Sequence, residues 1–126
     1  MTSNGAGALP TFQASAGFAW SEITGTTVSL ASNNGYILNH ASVIIFATLP
    51  TTCSVGDTIA LVGKGVGGWR LAQNASQIVH FGSSDTTAGV GGFLQFTNRY
   101  DTIEILCTVA NLEFTVRSSV GNLTIV

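Results

Sequence analysis

Four glycines fall within the six residues Gly63-Lys64-Gly65-Val66-Gly67-Gly68, between two runs of strand-forming residues. Thr58-Ile59-Ala60-Leu61-Val62 enters this stretch and Trp69-Arg70-Leu71-Ala72-Gln73 leaves it. Glycine supplies the positive φ angles that a tight or bulged turn needs. Gly63, Gly65 and Gly68 also satisfy G-x-G-x-x-G, which marks a nucleotide site only where a helix follows to bind the pyrophosphate. Here the chain runs on towards the strand-like Ile78-Val79-His80-Phe81. Lys64 stands between the first two glycines rather than before a Ser or Thr, so the stretch is not a P-loop either. It reads as a glycine-rich hairpin whose tip presents Trp69 and Arg70.

The same short-run pattern fills the chain from Phe18 onward. Apolar or alternating runs occupy 26–30, 36–39, 43–48, 58–62, 69–73, 78–81, 93–96, 102–109, 113–117 and 122–126, with turn residues between them. Ala110-Asn111 is a compact hairpin signal, and Leu112, Phe114 and Val116 alternate with Glu113, Thr115 and Arg117. About nine or ten short strands and no credible three-turn helix predict an all-β fold, an antiparallel β-sandwich of jelly-roll type. At 126 residues one domain is expected, spanning 18–126. Residues 1–17 are dominated by small side chains and read as a lead-in or linker. They are expected to pack on their own domain or on a neighbouring chain.

Composition narrows the function classes. Charged residues are 8% of the chain while hydrophobic ones are 45%, against about 25% charged in ordinary soluble domains. Thr, Ser, Asn, Gln and Gly must therefore cover the surface. Four basic residues and a net charge of −2 cannot form a phosphate-tracking stripe, so no nucleic acid is expected. Apolar runs such as 42–47 are too short to span a bilayer, so no membrane insertion is expected. The first residues lack the basic start and apolar core of a signal peptide.

Catalysis needs a nucleophile with a base, or paired carboxylates, gathered in a pocket. Asp57, Asp85 and Asp101 sit at predicted turns or strand starts, and Glu22, Glu104 and Glu113 are isolated on outward faces. His80, between Val79 and Phe81, reads as a partnered structural histidine. No catalytic motif appears, and the chain is read as not an enzyme, with no cofactor. Cys53 and Cys107 permit one disulfide without demanding it; Cys107 reads as a buried free thiol on the face of Ile103, Ile105 and Val109. Two cysteines and two scattered histidines do not make a zinc site.

A binding role draws on better material. The candidate ligand-binding residues are Trp69, Arg70, Gln73, Asn74, Asp85 and Tyr36, which combine flat aromatic faces with planar or charged hydrogen-bonding groups. Such groups hold sugars and other exposed polar ligands without a deep pocket. Trp69 reads equally as a core residue flanking its hairpin, and Trp20 as packing at the end of the lead-in. If 78–81 pairs back onto 69–73, the polar loop 82–92 leaves beside Trp69. Arg70 then comes within reach of Asp85, as ion-pair partner or as a second ligand group. That loop has no apolar anchor and is expected on the surface.

One set of residues carries a resemblance. It comprises Asn33-Asn34-Gly35-Tyr36, Leu49-Pro50, Val55-Gly56-Asp57-Thr58, Val62-Gly63-Lys64-Gly65 with Gly68-Trp69, Ala72-Gln73-Asn74-Ala75, and the closing Ser118-Ser119-Val120-Gly121-Asn122-Leu123-Thr124-Ile125-Val126. Together they resemble a module at the C-terminal tips of phage tail fibres and related bacterial surface fibres, over roughly 20–126. Residues 4–13 resemble the join to an upstream shaft. The resemblance implies a homotrimer on an extracellular fibre or virion tail, without catalysis. It implies attachment to a surface; joined to the aromatic and planar polar residues above, that leaves two readings, a tip that binds a surface glycan or other receptor and a purely structural module that clamps three chains and caps the shaft.

Overall fold

A computed structural model of the chain describes residues 19–96 and 98–126. The lead-in over 1–17 lies outside the described residues. The described residues are all-β, with twelve strands. They are β1 (Ala19–Ile23), β2 (Thr27–Ser29), β3 (Asn34–Leu38), β4 (Ile45–Thr48), β5 (Thr58–Gly63), β6 (Trp69–Ala72), β7 (Ile78–Phe81), β8 (Ser84–Asp85), β9 (Phe93–Phe96), β10 (Thr102–Val109), β11 (Glu113–Val120) and β12 (Thr124–Ile125). Ten coincide with the expected runs. The additional two are β1 and the two-residue β8, which lies inside the loop after Phe81.

The strands form two sheets, a seven-stranded one in the order β1-β3-β5-β10-β11-β7-β8 and a five-stranded one in the order β12-β9-β6-β4-β2. The expected all-β, two-sheet architecture is present, but both sheets are mixed, which corrects the expected all-antiparallel pairing. From β1 to β6 the chain alternates between the sheets, and each strand lies parallel to the one two before it. Trp20 faces Gly35 and Gly35 faces Ala60 in one sheet, while Thr27 faces Phe46 and Phe46 faces Arg70 in the other. The first half of the chain is therefore a flattened coil of three turns. The second half closes it with antiparallel partners, β10 on β5 and β9 on β6. The β10–β11 hairpin turns at Ala110–Leu112 as its sequence signals, with Asn111 at φ 67°.

This topology also corrects the glycine-rich hairpin. β5 and β6 belong to different sheets, so residues 64–68 form an arch between layers. The arch stacks on the preceding one. Lys64 N–H and Gly65 N–H donate to Leu38 O at 2.8 and 3.1 Å, Gly67 N–H donates to His40 O at 3.0 Å, and Ile45 N–H donates to Gly68 O at 3.1 Å. A Cβ on Gly65 would run into the His40 backbone and one on Gly67 into Val43. The glycines are needed for this close approach of backbone to backbone as much as for turning.

The core lies between the sheets. Tyr36, Leu38, Ile59, Leu61, Ile103, Ile105 and Phe114 come from the seven-stranded sheet, and Ile45, Ala47, Trp69, Leu71, Leu94 and Phe96 from the five-stranded one. Alternation turns their sequence neighbours to the outer faces, although Gly35 and Ala60 are covered there as well.

Candidate functional site

Alternation on the three central strands of the five-stranded sheet builds an outer face with a defined chemistry. Ile45 and Ala47, Trp69 and Leu71, and Leu94 and Phe96 point inward and are fully buried. Phe46, Arg70, Phe93 and Gln95 must then point out. Strand register sets Thr27, Phe46, Arg70, Gln95 and Thr124 in one row across all five strands. Ser29, Thr48, Ala72 and Phe93 form the next row.

Arg70 is the centre of this face. Its Cζ lies 3.8 Å from the ring centroid of Phe93 and 4.9 Å from that of Phe46. Its Nε–H donates to Gln95 Oε1 at 2.8 Å. Arginine offers only donors, so Gln95 has to present its oxygen here and its amide nitrogen elsewhere. Each cation–π contact is worth about 0.5–1 kcal/mol at exposed sites; together with the hydrogen bond they hold the guanidinium in one orientation. None of the residues in the two rows is acidic. Lys64 and Arg117, by contrast, pair with Glu22 and Glu104 at 3.4 and 3.7 Å. Beside Ser29 and Thr48 the face opens into a shallow groove of about 450 Å³, lined also by Thr51, Thr52 and Asn74.

The residues singled out from sequence do not assemble as one site. Trp69 is fully buried, stacked on Phe96 with ring centroids 4.7 Å apart, and its Nε1–H donates to Asp101 O at 3.3 Å. Tyr36 is buried, its hydroxyl accepting from Ala31 N–H at 2.8 Å. Gln73 is buried and donates to the carbonyls of Gln77, Thr87 and Gly89 at 2.7, 2.9 and 3.0 Å, while the Thr86 hydroxyl donates to its Oε1. Asn74 donates to Leu49 O at 2.7 Å and lines the groove. Asp85 is exposed on the other sheet and bonds to His80. Only Arg70 stays on the candidate face, with Asn74 beside its groove.

The expected Arg70–Asp85 pair fails for a topological reason. β7 pairs with β11 and β8 rather than folding back onto β6, so the loop after Phe81 does not leave beside Trp69. That loop lies largely at the surface as expected, without an apolar anchor, but a polar side chain fastens it. Thr86 is buried, and its Oγ1 accepts from Val79 N–H at 2.9 Å. Sequence reasoning passed over Phe46, Phe93 and Gln95. Their outward placement was readable from alternation; that they neighbour Arg70 needed the strand register.

Two other clusters are structural in character. His80 is clamped by carboxylates on both ring nitrogens, Nδ1 to Asp85 Oδ1 at 2.6 Å and Nε2 to Glu113 Oε1 at 2.8 Å. Hydrogen bonds to Asp85 first and Glu113 second raise its pKa above the ordinary histidine value. A ring held as a double donor is a poor general base. Cys53 and Cys107 are both buried free thiols with Sγ atoms 2.8 Å apart, and burial pushes the Cys107 thiol up to about 12. A thiol so far from its thiolate is a poor nucleophile.

No protein-family model matches the chain, and a search of curated proteins returns no match.

Proposed function

We propose that this chain is the non-catalytic tip of an extracellular or virion fibre, a homotrimer that binds a cell-surface glycan. The contact is the outer face of the five-stranded sheet. The observation that carries the reading is the Arg70 guanidinium, steadied by Phe93, Phe46 and Gln95 on a face without acidic residues. Aromatic edges and a fixed planar donor, rimmed by threonine hydroxyls, suit an exposed polar ligand. The fibre context and the number three rest on the sequence resemblance. A composition with 8% charged and 45% hydrophobic residues agrees with self-association.

A second reading has its own support. If the module only clamps three chains and caps a shaft, its aromatic and planar polar residues belong in the subunit interface or the core. Trp69, Tyr36 and Gln73 are indeed buried. A cell-surface binding assay with the protein and its Arg70→Gln variant separates the two. Binding by the parent that falls at least tenfold in the variant supports the receptor-binding tip; no binding by the parent leaves the clamp. Light scattering at micromolar concentration should give about three times the 13.0 kDa chain mass, and a monomer mass removes the trimer from both readings.

A further inference from the structure

Resting on the proposed glycan-binding role of this face, we infer that its ligand is an acidic saccharide, whose carboxylate takes the free edge of the Arg70 guanidinium. The inference starts from hydrogen-bond supply. Arg70 spends its Nε–H on Gln95, and its four terminal N–H donors make no hydrogen bond among the described residues. The Gln95 amide nitrogen likewise donates to nothing among them, because its oxygen faces Arg70. Six donors thus converge on one patch with no acceptor assigned to them. An acceptor-rich ligand satisfies that surplus; a neutral hydroxyl would use only part of it.

Charge and shape then select among acceptors. No carboxylate of the chain pairs with Arg70 among the described residues, although the protein as a whole is negative. The guanidinium carbon lies 3.8 Å from the Phe93 ring centroid and 4.9 Å from that of Phe46, so its faces are taken up by the rings and a ligand approaches its edge, where paired N–H groups match a planar carboxylate in a two-bond fork. Phe46 remains 42% exposed next to it. Its ring offers an apolar surface for the C–H face of a sugar carrying that carboxylate. Thr27 and Thr124, in the same row, add hydroxyls at the two ends. A bare phosphate would use the charge and leave Phe46 unused. The uronic-acid type of sugar uses both.

The test is a binding titration of the whole protein with a digalacturonic acid, its neutral methyl ester and inorganic phosphate, followed by backbone amide NMR. The acid should shift amides of β4, β6 and β9, bind at least tenfold more tightly than the ester, and weaken as salt is raised. Arg70→Lys should lose most of this preference, since it keeps the charge but not the fork. Phe46→Ala should weaken the acid severalfold and leave phosphate unchanged. Equal binding of acid and ester overturns the acidic-ligand inference while leaving the glycan reading intact. Phosphate binding as tightly as the acid also overturns it, making the site a simple anion hole. If no member of a broad neutral and acidic glycan panel shifts this face, the underlying glycan reading falls as well. Should Arg70→Lys fail to fold, the ester comparison and the salt dependence on the parent protein decide alone.

Discussion

Trp69 and Arg70 are adjacent in sequence and opposite in fate. One residue of a strand faces the core and the next faces out, so a Trp-Arg pair cannot serve one ligand together from the middle of a sheet with one face buried. Reading both as hairpin-tip residues missed this, because the glycines beside them turn the chain between layers rather than within one. His80 carries a prediction at the same scale. Its folded pKa is raised by Asp85 and Glu113, so folding favours the charged ring. That stabilisation is fully present below the unfolded value near 6.5 and is lost as pH rises through the folded pKa. Urea unfolding should therefore give greater stability at pH 5.5 than at pH 8.5. The His80 contribution is under about 1 kcal/mol, because all three partners are partly exposed. His80→Gln should remove that part of the difference; an unchanged pH dependence would mean the clamp does not matter.

Among the elements, the arches carry the tightest constraints. Gly67 lies against the Val43 backbone, whereas a Cβ on Gly25, in the arch between β1 and β2, would meet nothing. Gly67→Ala should cost several kcal/mol, in the range of overpacking with a backbone shift (~1–3 kcal/mol or more). Gly25→Ala should be neutral or stabilising by up to about 1 kcal/mol. Thermal melts of both variants test this, and equal melting temperatures would show that the arches do not stack as described. The strands themselves were largely legible in sequence, because β-branched and aromatic runs separated by Gly, Asn and Pro identify short strands wherever they pair. Partnership was not. Parallel pairing between β3 and β5, or β4 and β6, leaves no turn signal, since the paired strands are separated by an excursion through the other sheet. The candidate face suffered the same loss. Phe46, Arg70 and Gln95 come from three distant stretches and meet only through the register of β4, β6 and β9. Buried polar residues misled in the opposite direction: Gln73 looks like a ligand group by type, yet three carbonyls and a hydroxyl use it to fasten a loop.

At the scale of the molecule, β5 and β6 are the joints between its two halves. Each has an earlier strand on one side in parallel and a later strand on the other side in antiparallel. Removing residues 102–126 takes away β10, β11 and β12, strips β5 of a partner and separates β7 from the rest of its sheet. Such a truncation should show no cooperative urea transition; a cooperative transition in it would refute the central position of β5. The order of pairing also bears on how the protein is made. Synthesis runs from the N-terminus, so β3 to β6 each find a finished neighbour as they emerge, and the early turns can form beside the ribosome. The far side of β5 has no such luck. Until the last quarter of the chain is translated, a central strand rich in Ile, Ala, Leu and Val is left with an unpaired edge, the kind of edge that recruits foreign strands. Successive ribosomes on one message hold several copies in that state side by side, where crowding favours wrong pairing between chains before the closing hairpin arrives.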